Sequence, residues 1–113
     1  SYPSIWPETS CIAAIESMAA GCEVVTTNLG ALYETCSPFS TFVNFDRNFD
    51  NLEKRFGEVL LNSIKNYWSK ENQNKLKLQA EAINLTYSWD LRSKEWKSFF
   101  NEARNLKAKT SFY

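Results

Sequence analysis

The stretch Cys11-Ile12-Ala13-Ala14-Ile15-Glu16-Ser17-Met18-Ala19-Ala20 constrains the fold of this chain more than any other. Glu16 is its only charge, and a helix that is apolar nearly all round has to be buried. Thr9 or Ser10 is placed to cap its start, and Gly21 to take the left-handed conformation that ends it. The β-branched run Glu23-Val24-Val25-Thr26-Thr27 follows and reads as a buried strand. Asn28-Leu29-Gly30 reads as a turn, residues 31–35 as one helical turn, Ser37-Pro38 as a break, and Thr41-Phe42-Val43-Asn44-Phe45 as a second strand. Helices alternating with strands imply a βαβ layout, so the expected class is α/β with a parallel sheet. Such sheets are buried on both faces, and two strands are too few to make one alone. The chain also opens at Ser1 rather than Met, so it reads as cut from a longer polypeptide whose further strands lie upstream.

The rest reads as helical. Leu52, Phe56, Val59, Leu60, Ile64 and Tyr67 follow helical spacing, with Gly57 as a weak point costing up to ~1 kcal/mol against Ala. A second helix is expected from about Ser69 to Leu85, with Leu76, Ala80 and Ile83 on one side. A third begins near Ser88 and carries the stripe Trp89, Trp96, Phe99, Phe100, Ala103 and Leu106, expected as core, part of it able to dock against another domain. The tail from Lys107 is expected to fray. Residues 1–48 thus form a βα segment and residues 49–113 a helical segment of the same domain.

The 113 residues suffice for one small domain. There is no histidine, which removes Ser-His-Asp and Cys-His nucleophile systems, HExxH metal sites and any imidazole base. Cys11, Cys22 and Cys36 are an odd, widely spaced set, read as small apolar residues rather than as a disulfide framework or zinc site, and a reducing, cytoplasmic setting is expected. No apolar run is long enough to span a membrane. Acids and bases balance at 13 each, and nucleic acid is not an expected partner; Tyr67 and Trp68 with their lysines read as core packing plus a solvated face. The balance is uneven along the chain. Residues 1–50 hold six acids and the single base Arg47, whereas residues 51–113 hold twelve bases and seven acids. The basic half is a solvated helical surface on the plain reading, and on the sharper one a face for another domain or for peripheral contact with anionic lipid.

A lone carboxylate in an apolar helix needs hydrogen-bond partners or a wet cleft. Glu16 is such a group, and Glu8 lies just before the helix. On one helical axis, eight residues at 1.5 Å each would separate them by roughly 12 Å. Between them lie the free backbone amides of the first turn, which favour an anion such as phosphate. Acid, amide donors, acid is an arrangement that fits a molecule with hydroxyls at both ends and a diphosphate between, a sugar nucleotide. It requires one hollow joining the two carboxylates.

Residues 2–34 resemble the donor-binding segment of the retaining GT-B glycosyltransferases of the group 1 type. The likeness rests on Glu8 and Glu16 with seven residues between them, the small-residue helix end Ala19-Ala20-Gly21, and the strand Val24-Val25-Thr26 in register. Ser88-Trp89 and the helix after it also resemble the family's C-terminal end. The resemblance implies an incomplete Rossmann-like C-terminal half of a GT-B fold, parallel strands followed by a helical tail. It implies transfer of a sugar from a nucleotide-diphosphate donor to a saccharide, lipid or protein acceptor, with retention and without a metal or other cofactor. Glu8 would contact the transferred sugar, as the catalytic residue though not as nucleophile, and Glu16 would accept from the ribose hydroxyls. Ser10, Cys11 and Ile12 would set backbone amides near the distal phosphate and sugar. Asn28, Leu29 and Gly30 would form a loop beside the site, with Glu34 capping or orienting it. The acceptor-binding N-terminal domain would be the missing partner.

The chain departs from the family in three places. Ser10-Cys11 stands where members often have Phe-Gly, which narrows the backbone approach, and Glu23 stands where many carry Pro, an edge change. The cationic pair that neutralises the diphosphate lies upstream in the family, and no Lys or Arg precedes Arg47 here, so these residues alone should bind donor poorly and act poorly as a catalyst. Two alternatives stand beside the transferase. One is a sugar-nucleotide 2-epimerase-like enzyme, which normally needs further acids and His. The other is an inactive binding module.

Overall fold

The computed structural model describes residues 1–110. The elements run α1 (Ile12–Ala19), β1 (Val25–Thr27), α2 (Leu32–Cys36), β2 (Thr41–Val43), α3 (Phe49–Asn66), α4 (Lys70–Thr86) and α5 (Trp89–Thr110). The chain is a mixed helix–strand protein with a two-stranded parallel sheet, in which Val25 pairs with Thr41, Thr26 with Phe42 and Thr27 with Val43. Both strands are shorter than their β-branched runs imply. At the far end of the sheet the Asn28 N–H still donates to the Val43 carbonyl at 3.1 Å, and its side chain extends the pairing, the side-chain amide donating to Asn44 and its oxygen accepting from the Phe45 N–H.

Each face of this narrow sheet is covered. On one side Cys11, Ala14 and Met18 of the α1 region pack with Val24, Leu32, Cys36 and Ile83 of α4. On the other, Val25 and Val43 meet Leu52 and Phe56 of α3. The period-two alternation of a strand sends Val24 and Val25 to opposite faces, and so lets one short run hold both cores. The N-terminal segment continues the sheet. Tyr2 bridges Thr26 in parallel, and the buried hydroxyls of Thr26 and Thr27 donate to the carbonyls of Tyr2 and Ser4 at 2.9 and 2.7 Å.

The helix ends follow local chemistry. Gly21, at φ +79°, ends α1, with the amides of Gly21 and Cys22 bonded back to Met18 and Ser17, a Schellman turn. The start of α1 corrects the expectation of a Thr9 or Ser10 cap. Cys11 is the capping residue and makes no side-chain bond to the helix amides, because its thiol is buried in the core and so fixes where the helix begins, leaving both hydroxyls outside it. Asn48 caps α3 through the amides of Asp50 and Asn51, Ser69 caps α4 through that of Asn72, and Ser88 accepts from Leu91 at the start of α5. Gln79, fully buried on α4, donates to the carbonyls of Met18 and Cys22 and so staples the C-terminal end of α1.

Three packing expectations are overturned. The apolar stretch of α1 is not buried all round: Ala14 and Met18 are buried, whereas Ile12 is 69% exposed and Ala13 is exposed, because α4 and the sheet cover only one side of the helix. The α5 stripe is not core: Trp89, Trp96, Phe99, Phe100 and Leu106 are all exposed, with Trp96 stacked on Phe100 at 5.5 Å. Of the apolar positions of α4, Ile83 packs into the α1 core whereas Leu78 and Leu85 are themselves exposed, and none of the described residues buries the α5 stripe. Trp68, expected in the core, is 82% exposed. The thiols divide. Cys11 and Cys36 are buried and Cys22 is exposed, which leaves Cys22 outside the apolar role. α5 runs on to Thr110, through the start of the tail expected to fray, and the rest of that tail, residues 111–113, lies outside the described residues. No helix among the described residues is long and apolar enough to cross a membrane.

Leu32 is fully buried and Leu85 is 75% exposed. In urea unfolding, Leu32→Ala should therefore lower stability by about 2–5 kcal/mol. Leu85→Ala should change it by about 0.5 kcal/mol or less. Equal losses would contradict the core assignment.

Candidate functional site at the start of α1

Residues 4–11 leave the sheet edge and turn into α1. Within them Glu8 is held by its backbone and by its side chain. Its carbonyl accepts from the Ala31 N–H at 2.7 Å, and Glu8 bridges Gly30 in parallel. Gly30, at φ +60°, lies so close that a Cβ would come within 2.6 Å of the Glu8 nitrogen and oxygen. Only glycine meets both demands, a left-handed backbone and no side chain. On the side-chain half, the Tyr2 hydroxyl donates to Glu8 Oε1 at 2.7 Å. That bond, with desolvation and Cys11 adding to it, pushes the Tyr2 phenol up to about 12.

Glu16 is exposed on α1, and its carboxylate meets no hydrogen-bond donor or cation among the described residues. Ala14 and Met18 take the buried side of that helix, so Glu16 occupies the wet one. The first helical bond runs from the Ile15 amide to the Cys11 carbonyl, so the amides of Ile12, Ala13 and Ala14 have no partner among the described residues. Glu8 is not on the helix axis. The helical rise therefore applies only from Ile12 to Glu16, about 6 Å at 1.5 Å per residue, so the premise of one continuous axis through both carboxylates does not hold.

The other sequence-selected residues divide by position. Asn28 spends its amide on the β2 exit, and the Leu29 carbonyl accepts from the Leu32 N–H at 3.4 Å, so this loop is built around its own turn with Gly30 as its contact to Glu8. Ser10 and Ile12 are exposed at the mouth of α1, and Cys11 is buried. Glu34 is exposed in the first turn of α2 and makes no side-chain bond among the described residues. Glu23, the edge change, accepts from the Asn72 amide at 3.1 Å. Tyr2 is the residue that sequence reading passed over; nothing in its loop context marks a phenol that reaches six residues ahead.

The hollows on the described surface lie elsewhere. One of about 850 Å³ runs between α3 and α4 past Asn62, Asn66 and Lys75, and one of about 380 Å³ lies beside α1 at Tyr2, Ala13 and Ser17. Neither Glu8 nor Glu16 lines these or the other three cavities. Among the described residues no three His, Cys, Asp or Glu side chains come together as a metal site. No protein-family model matches the chain, and searches of curated proteins and of solved structures give no match.

Replacing Gly30 with Ala adds a backbone clash to a left-handed residue, whereas a Cβ at Gly21, also left-handed, meets nothing within 4 Å. Gly21→Ala should therefore lose only the conformational term, roughly 1–2 kcal/mol. Gly30→Ala should lose more in the same urea titration and shift the Glu8 amide resonance. Equal losses with an unmoved Glu8 would remove the clamp.

Proposed function

We propose that residues 1–110 form the donor-binding part of a retaining glycosyltransferase, the Rossmann-like C-terminal half of a GT-B fold. The observation that carries this reading is the mouth of α1. Its amides are uncapped, with an anchored carboxylate, Glu8, before them and an unpaired one, Glu16, on the wet side of a helix that buries Ala14 and Met18.

The chemistry follows from the three groups. The first-turn amides carry roughly half a positive charge between them and favour a phosphate oxygen. Glu16 accepts hydrogen bonds from ribose hydroxyls. Glu8 accepts from a hydroxyl of the transferred sugar and holds its anomeric carbon so that the acceptor hydroxyl attacks on the face the diphosphate leaves, its proton passing to the departing diphosphate oxygen. As the bond to the diphosphate breaks, negative charge grows on the leaving oxygen, and the amides face the group where it grows. The two carboxylates border no common hollow here, so the reading requires a second wall opposite α1, which an acceptor-binding domain closing over the donor would supply.

The test is sugar transfer by the full natural chain that carries this sequence, assayed with uridine and guanosine diphosphate hexoses. Glu16→Ala removes ground-state contacts and should raise donor KM about tenfold or more with kcat nearly unchanged. Glu8→Ala should lower kcat on the order of a hundredfold. Wild-type constants in both variants would end the proposal.

A further inference from the structure

Tyr2 is anchored in the sheet, not in the loop that carries Glu8. Its amide donates to the Val25 carbonyl at 2.8 Å, and its own carbonyl accepts from the Thr26 hydroxyl at 2.9 Å and from the Ser4 amide at 2.9 Å. Its phenol then reaches Glu8 Oε1 at 2.7 Å. A carboxylate side chain on a loop ordinarily samples several rotamers, and a neutral donor fixed to a strand selects one of them. With Oε1 occupied, Oε2 is the oxygen left without a partner among the described residues.

We infer that Tyr2 is a positioning residue for Glu8: its strand-anchored phenol fixes the carboxylate and leaves Oε2 as an acceptor for a ligand hydroxyl. The ligand half of this inference rests on the transferase reading, and the Tyr2–Glu8 pairing does not. A group that accepts but does not donate at this position selects a hydroxyl-bearing ligand over a carbonyl or phosphate oxygen. The phenol keeps its proton far above neutrality, so the donor that fixes Glu8 is present throughout the range in which an enzyme works. The titratable groups that face it are Glu8 and Cys11.

The pairing is read by carbon-13 NMR of the chain labelled at tyrosine Cζ. One tyrosine, absent from the spectrum of Tyr2→Phe, should titrate near 12, and Glu8→Ala should return it toward 10. The sign for stability follows. The folded-state value lies above the unfolded one, so the stabilisation from the bond is complete below pH 10 and fades as pH rises toward 12. The thermal advantage of the wild type over Tyr2→Phe should shrink over that interval. In the full natural chain, Tyr2→Phe should lower kcat about tenfold with donor KM within about twofold, and should add nothing to Glu8→Ala in the double variant, as expected of groups that act as a unit. A Tyr2 that titrates near 10 overturns the inference, and so does an unchanged kcat in Tyr2→Phe where Glu8→Ala is impaired. A late-titrating Tyr2 that responds to Glu8→Ala, in a chain without transferase activity, sinks the transferase reading and supports the positioning of Glu8.

Discussion

The C-terminal end of β1 holds the candidate site in place. Thr26 and Thr27 are fully buried, and a buried hydroxyl without a partner is unfavourable by roughly 1–3 kcal/mol. The N-terminal segment lying alongside gives each its short acceptor, the carbonyl of Tyr2 for Thr26 at 2.9 Å, against 3.4 Å to the Thr27 carbonyl, and that of Ser4 for Thr27. Seating that segment places the Tyr2 phenol. Three residues past β1, Gly30 closes against the Glu8 backbone. One strand end therefore fixes Glu8 from two directions. The same strand feeds both cores through Val24 and Val25, so a loss of packing on either face reaches the site through the strand itself.

Much of this framework was legible in the sequence, for local reasons. Gly21 as a helix stop, Ser69 and Ser88 as helix starts, and a β-branched run as a buried strand each depend on a few neighbouring residues, and each is where the pattern put it. The parallel pairing of the strands was readable from the alternation of elements. What failed was decided by tertiary contact. The hydroxyls of Thr9 and Ser10 are sound caps in isolation, but burial of Cys11 set the start of α1 beyond them. The α5 stripe has the spacing of a core helix, yet spacing states only that a face is apolar and not that a wall stands opposite it. At the site, Glu8 and Glu16 were visible as carboxylates, whereas the Tyr2 bond and the fit of Gly30 against Glu8 are contacts across the fold that no local pattern encodes.

The charges around α1 bear on how such a site could work. Its donors are neutral: three amides at the helix mouth and, behind Glu8, a phenol that keeps its proton to high pH. No lysine or arginine occurs before Arg47, and the segment through residue 50 carries six acids. A helix N-terminus equivalent to about half an elementary charge cannot balance a diphosphate bearing about two negative charges. Hydroxyls meet the opposite condition. Each is a donor that a fixed carboxylate accepts at full strength, without any counter-charge. The residues of this segment are therefore better suited to grip the two polyol ends of a sugar nucleotide than its centre. On the proposed transferase reading, a cation outside these residues would have to face the mouth of α1 for a diphosphate to be held, and its place would decide which diphosphate oxygens the amides of Ile12 to Ala14 reach.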